Sequence, residues 1–160
     1  MHIFRIVPFS ALALLAACSR QETTTACAGD EIIASNAWVR AASEGSPMSA
    51  AYVELCNGGD AADRLIAVRF DDADAAEVHL TRMSEDGVAS MAPAEGGLDL
   101  PAHEKTELAP GGAHIMLIGL TSPLEEGEEA ALTLEFENAE PMTLMFEVRS
   151  RVDAAGHSGH

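Results

Sequence analysis

Ala131-Leu132-Thr133-Leu134-Glu135-Phe136-Glu137 and, one short turn later, Met142-Thr143-Leu144-Met145-Phe146-Glu147-Val148-Arg149 decide the fold. In the first stretch Leu132, Leu134 and Phe136 point one way and Thr133, Glu135 and Glu137 the other. In the second, Met142, Leu144, Phe146 and Val148 share a face. A period of two is the mark of a strand with one side buried. Working back towards the N-terminus, the same reading gives strands at His114–Leu120, Thr106–Leu108, Val88–Ala92, Ala76–Met83, Arg64–Phe70, Ala50–Cys56 and Ile32–Arg40. Leu98 and Leu100 add a short extended piece. Asn57-Gly58-Gly59-Asp60, Asp86-Gly87 and Pro110-Gly111-Gly112 supply the turns between them. No long helical period and no internal repeat interrupts the series. Short strands at regular spacing predict an all-β, antiparallel sandwich or barrel.

The chain has 160 residues, enough for one domain with one core. Its formal net charge of −17 excludes nucleic acid as a partner, since a phosphate backbone selects basic surfaces. The start reads as a targeting segment and is set aside from the fold. Ile6–Ala17 is apolar, too short for a permanent span, and runs into Leu15-Ala16-Ala17-Cys18. That tetrapeptide resembles a bacterial lipobox; the rival reading is an ordinary secretory signal with Cys18 incidental. Residues 1–17 are then a lipoprotein signal peptide, 18–29 a tether from lipidated Cys18, 30–152 the sandwich, and 153–160 a flexible tail. Ser19 resembles the sorting residue of lipoproteins sent to the outer membrane, which gives a periplasmic, membrane-anchored protein. In that oxidising compartment Cys27 and Cys56 are expected to form a disulfide, against the rival of two buried thiols.

Four residues stand out by type and position: His79, Met91, His114 and Met116. Val78 and Leu80 share one face of their strand, so His79 falls on the other with Glu77 and Thr81. Met91 follows across the Asp86-Gly87 turn. With a loop of three to five residues it sits opposite His79, or nearly so, on the paired strand. His114 and Met116 are two apart on one strand and share a face. Imidazole and thioether together suit Cu(I), a soft d¹⁰ ion without strict geometric demands. Thiolates would bind it harder but risk oxidation to a disulfide. A thioether has no proton to lose, so its binding is less sensitive to pH. Such neutral donors suit a protein that gives its ion away, from a site near the surface.

With these residues the chain resembles the PCu(A)C family of small periplasmic copper chaperones. That family is marked by a histidine, a methionine about a dozen residues on, and a later His-x-Met. The resemblance extends to Ala37-Trp38-Val39-Arg40, Asn57-Gly58-Gly59-Asp60, Asp63-Arg64-Leu65, Glu85-Asp86-Gly87 and Leu108–Leu117, covering roughly residues 30–150. Leu80 stands where many members carry a second methionine, on what should be the core face. The resemblance implies a cupredoxin-like antiparallel β-sandwich holding one Cu(I) on His79, Met91, His114 and Met116. It further implies delivery to the copper-accepting, Cu(A)-bearing subunit of cytochrome c oxidase, alone or with a Sco-type thiol protein.

The remaining candidates are weaker. His157 and His160 in the tail are set between a second copper site, suited to Cu(II), and incidental residues. His103 reads as plain surface, and Met48, Met83, Met142 and Met145 as packing. Asp71–Asp74 lacks the glycine and closing glutamate of a calcium loop. A blue-copper centre would need a cysteine clustered with histidine and methionine, which Cys27 and Cys56 lack. No catalytic triad, phosphate loop or zinc signature appears, so an enzyme is not expected. The readings that compete with a chaperone are a copper storage or tolerance protein and a structural or adhesive surface lipoprotein without metal.

Overall fold

The computed structural model describes residues 27–83 and 86–150. The expected signal peptide, Cys18, most of the expected tether, and His157 and His160 lie outside the described residues. Among those described there are ten strands and no helix: β1 (Ile32–Arg40), β2 (Met48–Asn57), β3 (Asp63–Arg69), β4 (Ala73–Met83), β5 (Ala89–Pro93), β6 (Leu98–Leu100), β7 (Lys105–Leu108), β8 (His114–Leu120), β9 (Glu129–Phe136) and β10 (Met142–Arg149). The strands run in the order β5-β4-β8-β2-β1-β10-β9-β3-β6 along one hydrogen-bonded path, with β7 paired to β2.

This path folds back on itself. Val53 and Leu55 of β2 and Ile115 and Leu117 of β8 share one buried cluster with Leu65 of β3, Leu132 and Leu134 of β9, and Phe146 of β10. The fold is therefore an all-β sandwich with its core between two layers of a continuous ladder. Each fully buried leucine or phenylalanine contributes about 1.5–3 kcal/mol by leaving water. Leu132, Leu134 and Phe136 are buried between the more exposed Thr133, Glu135 and Glu137, so the pattern that suggested the fold also builds its core.

Two features depart from a simple antiparallel reading. β1 and β10 pair in parallel, Trp38 opposite Glu147 and Arg40 opposite Arg149. No short loop joins the first strand to the last, so nothing in the connection forces them to run in opposite directions. The β1/β2 register also slips between Ser35 and Trp38, where Asn36 has φ 51°. The slip reverses the alternation: Ile32 and Val39 both point into the core although their positions differ by an odd number.

The N-terminal side of the domain reaches back past Asp30. Cys27 is buried, its N–H donates to the His103 carbonyl at 3.2 Å, and it forms a disulfide with Cys56 at a Cα–Cα distance of 5.4 Å. The turn after β2 is built on buried Asn57. Its amide nitrogen donates to the Ala61 and Leu100 carbonyls, and its oxygen accepts from Gly59 N–H.

Candidate metal centre

Strands β5, β4 and β8 are neighbours, and their registers fix what shares a face. His79 lies directly opposite His114, and Glu77 opposite Met116. Across the other edge of β4, Thr81 lies opposite Met91 and His79 opposite Pro93. Side chains in register, or two residues apart, point to the same side. All four residues singled out in the sequence therefore project from the outer face of this layer. Val78 and Leu80 point the other way, Val78 against the core.

The four do not converge equally. The imidazoles of His79 and His114 have centroids 5.9 Å apart and are inclined by 50°. Met116 is the diagonal neighbour of His79, typically ~7–8 Å away between Cα atoms, and two residues from His114 on its own strand, a step of ~6.7 Å. Met91 occupies the opposite diagonal. On the spacings of an untwisted ladder its Cα stands ~16 Å from that of Met116, too far for both sulfurs to reach one ion without movement of β5. The five-residue connection after Met83 sets this offset. Met91 is 61% exposed, on an edge strand exposed along its whole length.

The histidines are more enclosed than a surface site would suggest. The His79 side chain is 13% exposed and His114 is buried. Each has one ring nitrogen engaged. His79 Nε2 lies 3.0 Å from Glu77 Oε2, and His114 Nδ1 lies 3.1 Å from the Gly112 carbonyl. A carboxylate and a carbonyl only accept, so the engaged nitrogens carry the hydrogens. In the neutral imidazoles this leaves His79 Nδ1 and His114 Nε2 as the lone pairs that a metal could take. The Gly112 carbonyl also accepts from Thr81 Oγ1 at 2.8 Å. It sits in a tight loop closed by Gly112 N–H to the Ala109 carbonyl and Ala109 N–H to the Ala113 carbonyl.

The same outer face continues onto β2 and β1. Trp38 and Tyr52 stack with centroids 4.3 Å apart, next to Ala50 in a cluster separate from the main core. Ala50 is in register with Met116, so this aromatic pair borders the site. The Arg149 guanidinium lies 5.9 Å from the Trp38 ring centroid. Sequence reasoning placed Glu77 and Thr81 on the right face without giving them a role. It had no means of seeing Gly112, whose part depends on a β4 partner, Thr81, 31 residues away.

Other candidates resolve differently. Met48 and Met145 are 51% and 53% exposed, so the expectation that they are packing is corrected for both; Met142 does pack against the core. Asp71 and Asp72 form an exposed turn, and Asp74 already belongs to β4. His103 pairs with Asp60 at 3.0 Å on the surface. Among the described residues there is no group of three or more histidine, cysteine, aspartate or glutamate side chains that could hold a metal.

The family model "LpqE-like: Putative lipoprotein LpqE-like" matches residues 32–148. The chain belongs to the LpqE-like family. "Putative lipoprotein Lxx21020" of Leifsonia xyli subsp. xyli is 38% identical to this LpqE-like chain over 109 residues. The match covers 68% of the chain and 64% of that relative, so the chain spans somewhat under two thirds of its length. Among solved structures, the copper-bound PCuAC domain from PmoF2 superposes with a TM-score of 0.63 and 28% identity, over 75% of this chain and 93% of that one. CuI-DR1885 from Deinococcus radiodurans gives a TM-score of 0.59 at 25% identity, over 84% and 87%. The LpqE-like chain is thus homologous to PCuAC domains, which agrees with the resemblance read from its motifs.

Proposed function

We propose that this protein is an extracytoplasmic Cu(I) carrier that binds its ion on the outer face of β4 and β8 and passes it on. One observation carries the reading: His79 stands opposite His114 with Met116 on the adjoining diagonal, all on a single face. Two imidazoles and a thioether form a neutral, soft set that Cu(I) accepts. Met91 then closes the set from β5, which among the described residues is an edge strand paired only with β4. The copper in the names of the PmoF2 domain and of CuI-DR1885 supports the cargo. Membership in a family described as lipoproteins supports anchoring through Cys18 in the periplasm. Ser19 favours the outer membrane. Delivery towards the Cu(A) centre of cytochrome c oxidase, alone or with a Sco-type thiol protein, follows from the family resemblance. The role is carriage, not catalysis.

The test is competition for Cu(I) against a chromophoric chelator. The expected result is one Cu(I) per chain, lost in a His114→Ala/Met116→Leu variant with an unchanged circular dichroism spectrum. Equal competition by the folded variant would leave a structural or adhesive lipoprotein as the better reading. A copper K-edge spectrum of the loaded protein should show both nitrogen and sulfur scatterers. Oxidase activity in a deletion strain at limiting copper separates delivery, where activity falls, from storage or tolerance, where it does not.

A further inference from the structure

Met48 is in register with Ile118, which is itself in register with Ala75 of β4. That places Met48 on the outer face, one strand over from Met116 and one diagonal step further along. Combined with the registers above, the soft side chains of this face form a continuous oblique stripe across four adjacent strands. It runs from Met91 on β5, through His79 and His114, to Met116 on β8 and Met48 on β2. Its ends are exposed, Met91 at 61% and Met48 at 51%, whereas the two imidazoles between them are largely covered. Met48 is firmly placed: the Pro47 carbonyl before it accepts from both Gly119 N–H at 2.7 Å and Leu120 N–H at 3.2 Å. Its side chain is about half exposed at the start of β2.

We infer that Met48 and Met116 form a second, weaker Cu(I) station, a thioether pair through which the ion enters or leaves the histidine site. Diagonal neighbours ~7–8 Å apart at Cα can bring two flexible thioether arms to one soft ion. Met116 would belong to both stations: its sulfur has two lone pairs, one for an ion on the histidines and one for an ion shared with Met48, so an ion could pass between them without being released into water and a second ion can join the first. The inference rests on the proposed copper reading and extends it to a residue outside that ligand set.

The experiment uses Ag(I), a redox-inert soft d¹⁰ ion, titrated into the chain with ¹³C-methyl methionine. His157 and His160 are replaced by alanine so that the tail imidazoles cannot take metal. The first equivalent should move the Met116 and Met91 methyl signals, and the second should move Met48. Met145, as exposed as Met48 but on β10, is the internal control and should stay in place. Met48→Leu should abolish the second binding event while leaving the first and the backbone spectrum unchanged. If Met91 and Met116 respond and Met48 moves no more than Met145, the second station is refuted and the carrier reading stands. If Met91 and Met116 also stay still, both fall.

Discussion

The carbonyl of Gly112 accepts from Thr81 Oγ1 at 2.8 Å and faces His114 Nδ1 at 3.1 Å, so one loop oxygen ties a β4 side chain to the β8 imidazole. This bond leaves Nε2 as the lone pair of His114 that a metal could take. Glu77 does the same for His79 from two residues away on the same strand. Partners of this kind orient metal-binding histidines, and their loss typically weakens binding by about 10–100-fold. Thr81→Val should therefore lower Cu(I) affinity by about 10-fold in chelator competition, with the fold intact. Thr81→Ser, which keeps the hydroxyl, should restore most of it. Full affinity in the valine variant would show that the Gly112 loop holds His114 without help. The histidines themselves were legible because strand parity shows which face each occupies. Thr81 and Gly112 were not, because hydrogen bonding across 31 residues leaves no periodic trace.

At the scale of elements, the alternating strands β9 and β10 were readable because each buries one face in the core. The parallel pairing of β1 and β10 was not, since it comes from closure of the whole ladder and not from any local signal. Met91 falls opposite Thr81, one diagonal from His79, because the turn sets the register and only the length of the turn could be bounded beforehand. The far layer has its own clamp. Asp63 on β3 accepts from Arg64 N–H at 2.7 Å, Ala139 N–H at 2.8 Å, and Asn138 N–H and Nδ2 at 3.0 and 3.3 Å. Partial burial works to raise its pKa, but these hydrogen bonds outweigh it and hold the carboxyl below its usual value. A carboxyl depressed in the folded state stabilises above its unfolded pKa, about 3.9, and loses that contribution as pH falls through the folded value. Asp63→Asn should thus cost about 1 kcal/mol at neutral pH, with the gap to the natural chain narrowing in acid. Urea unfolding at a series of pH values reads both, and a gap independent of pH would refute the clamp. Copper affinity should not change, because the site lies on the other layer.

For the molecule as a whole, composition and pattern fixed an all-β domain, while the way one ladder folds over itself came only with the structure. The disulfide bears on that closure. Cys27 precedes β1, Cys56 lies near the end of β2, and 29 positions separate them, so the bond closes a loop around the first hairpin. Constraining a loop of that size in the unfolded chain contributes about 3–4 kcal/mol on the chain-entropy model. It also holds the first described residues against the His103 carbonyl, where any segment leading from a membrane anchor must arrive. Cys56 lies eight residues along β2 from Met48, and the candidate copper donors lie on other strands or at the far end of β2. A Cys27→Ser/Cys56→Ser variant should accordingly melt about 10 °C lower by calorimetry and still take one Cu(I) with undiminished affinity. An unchanged melting temperature would mean that strand pairing alone closes the sandwich. A matching loss of copper affinity would mean that the outer face of β4 and β8 takes its shape from the anchored end of the domain.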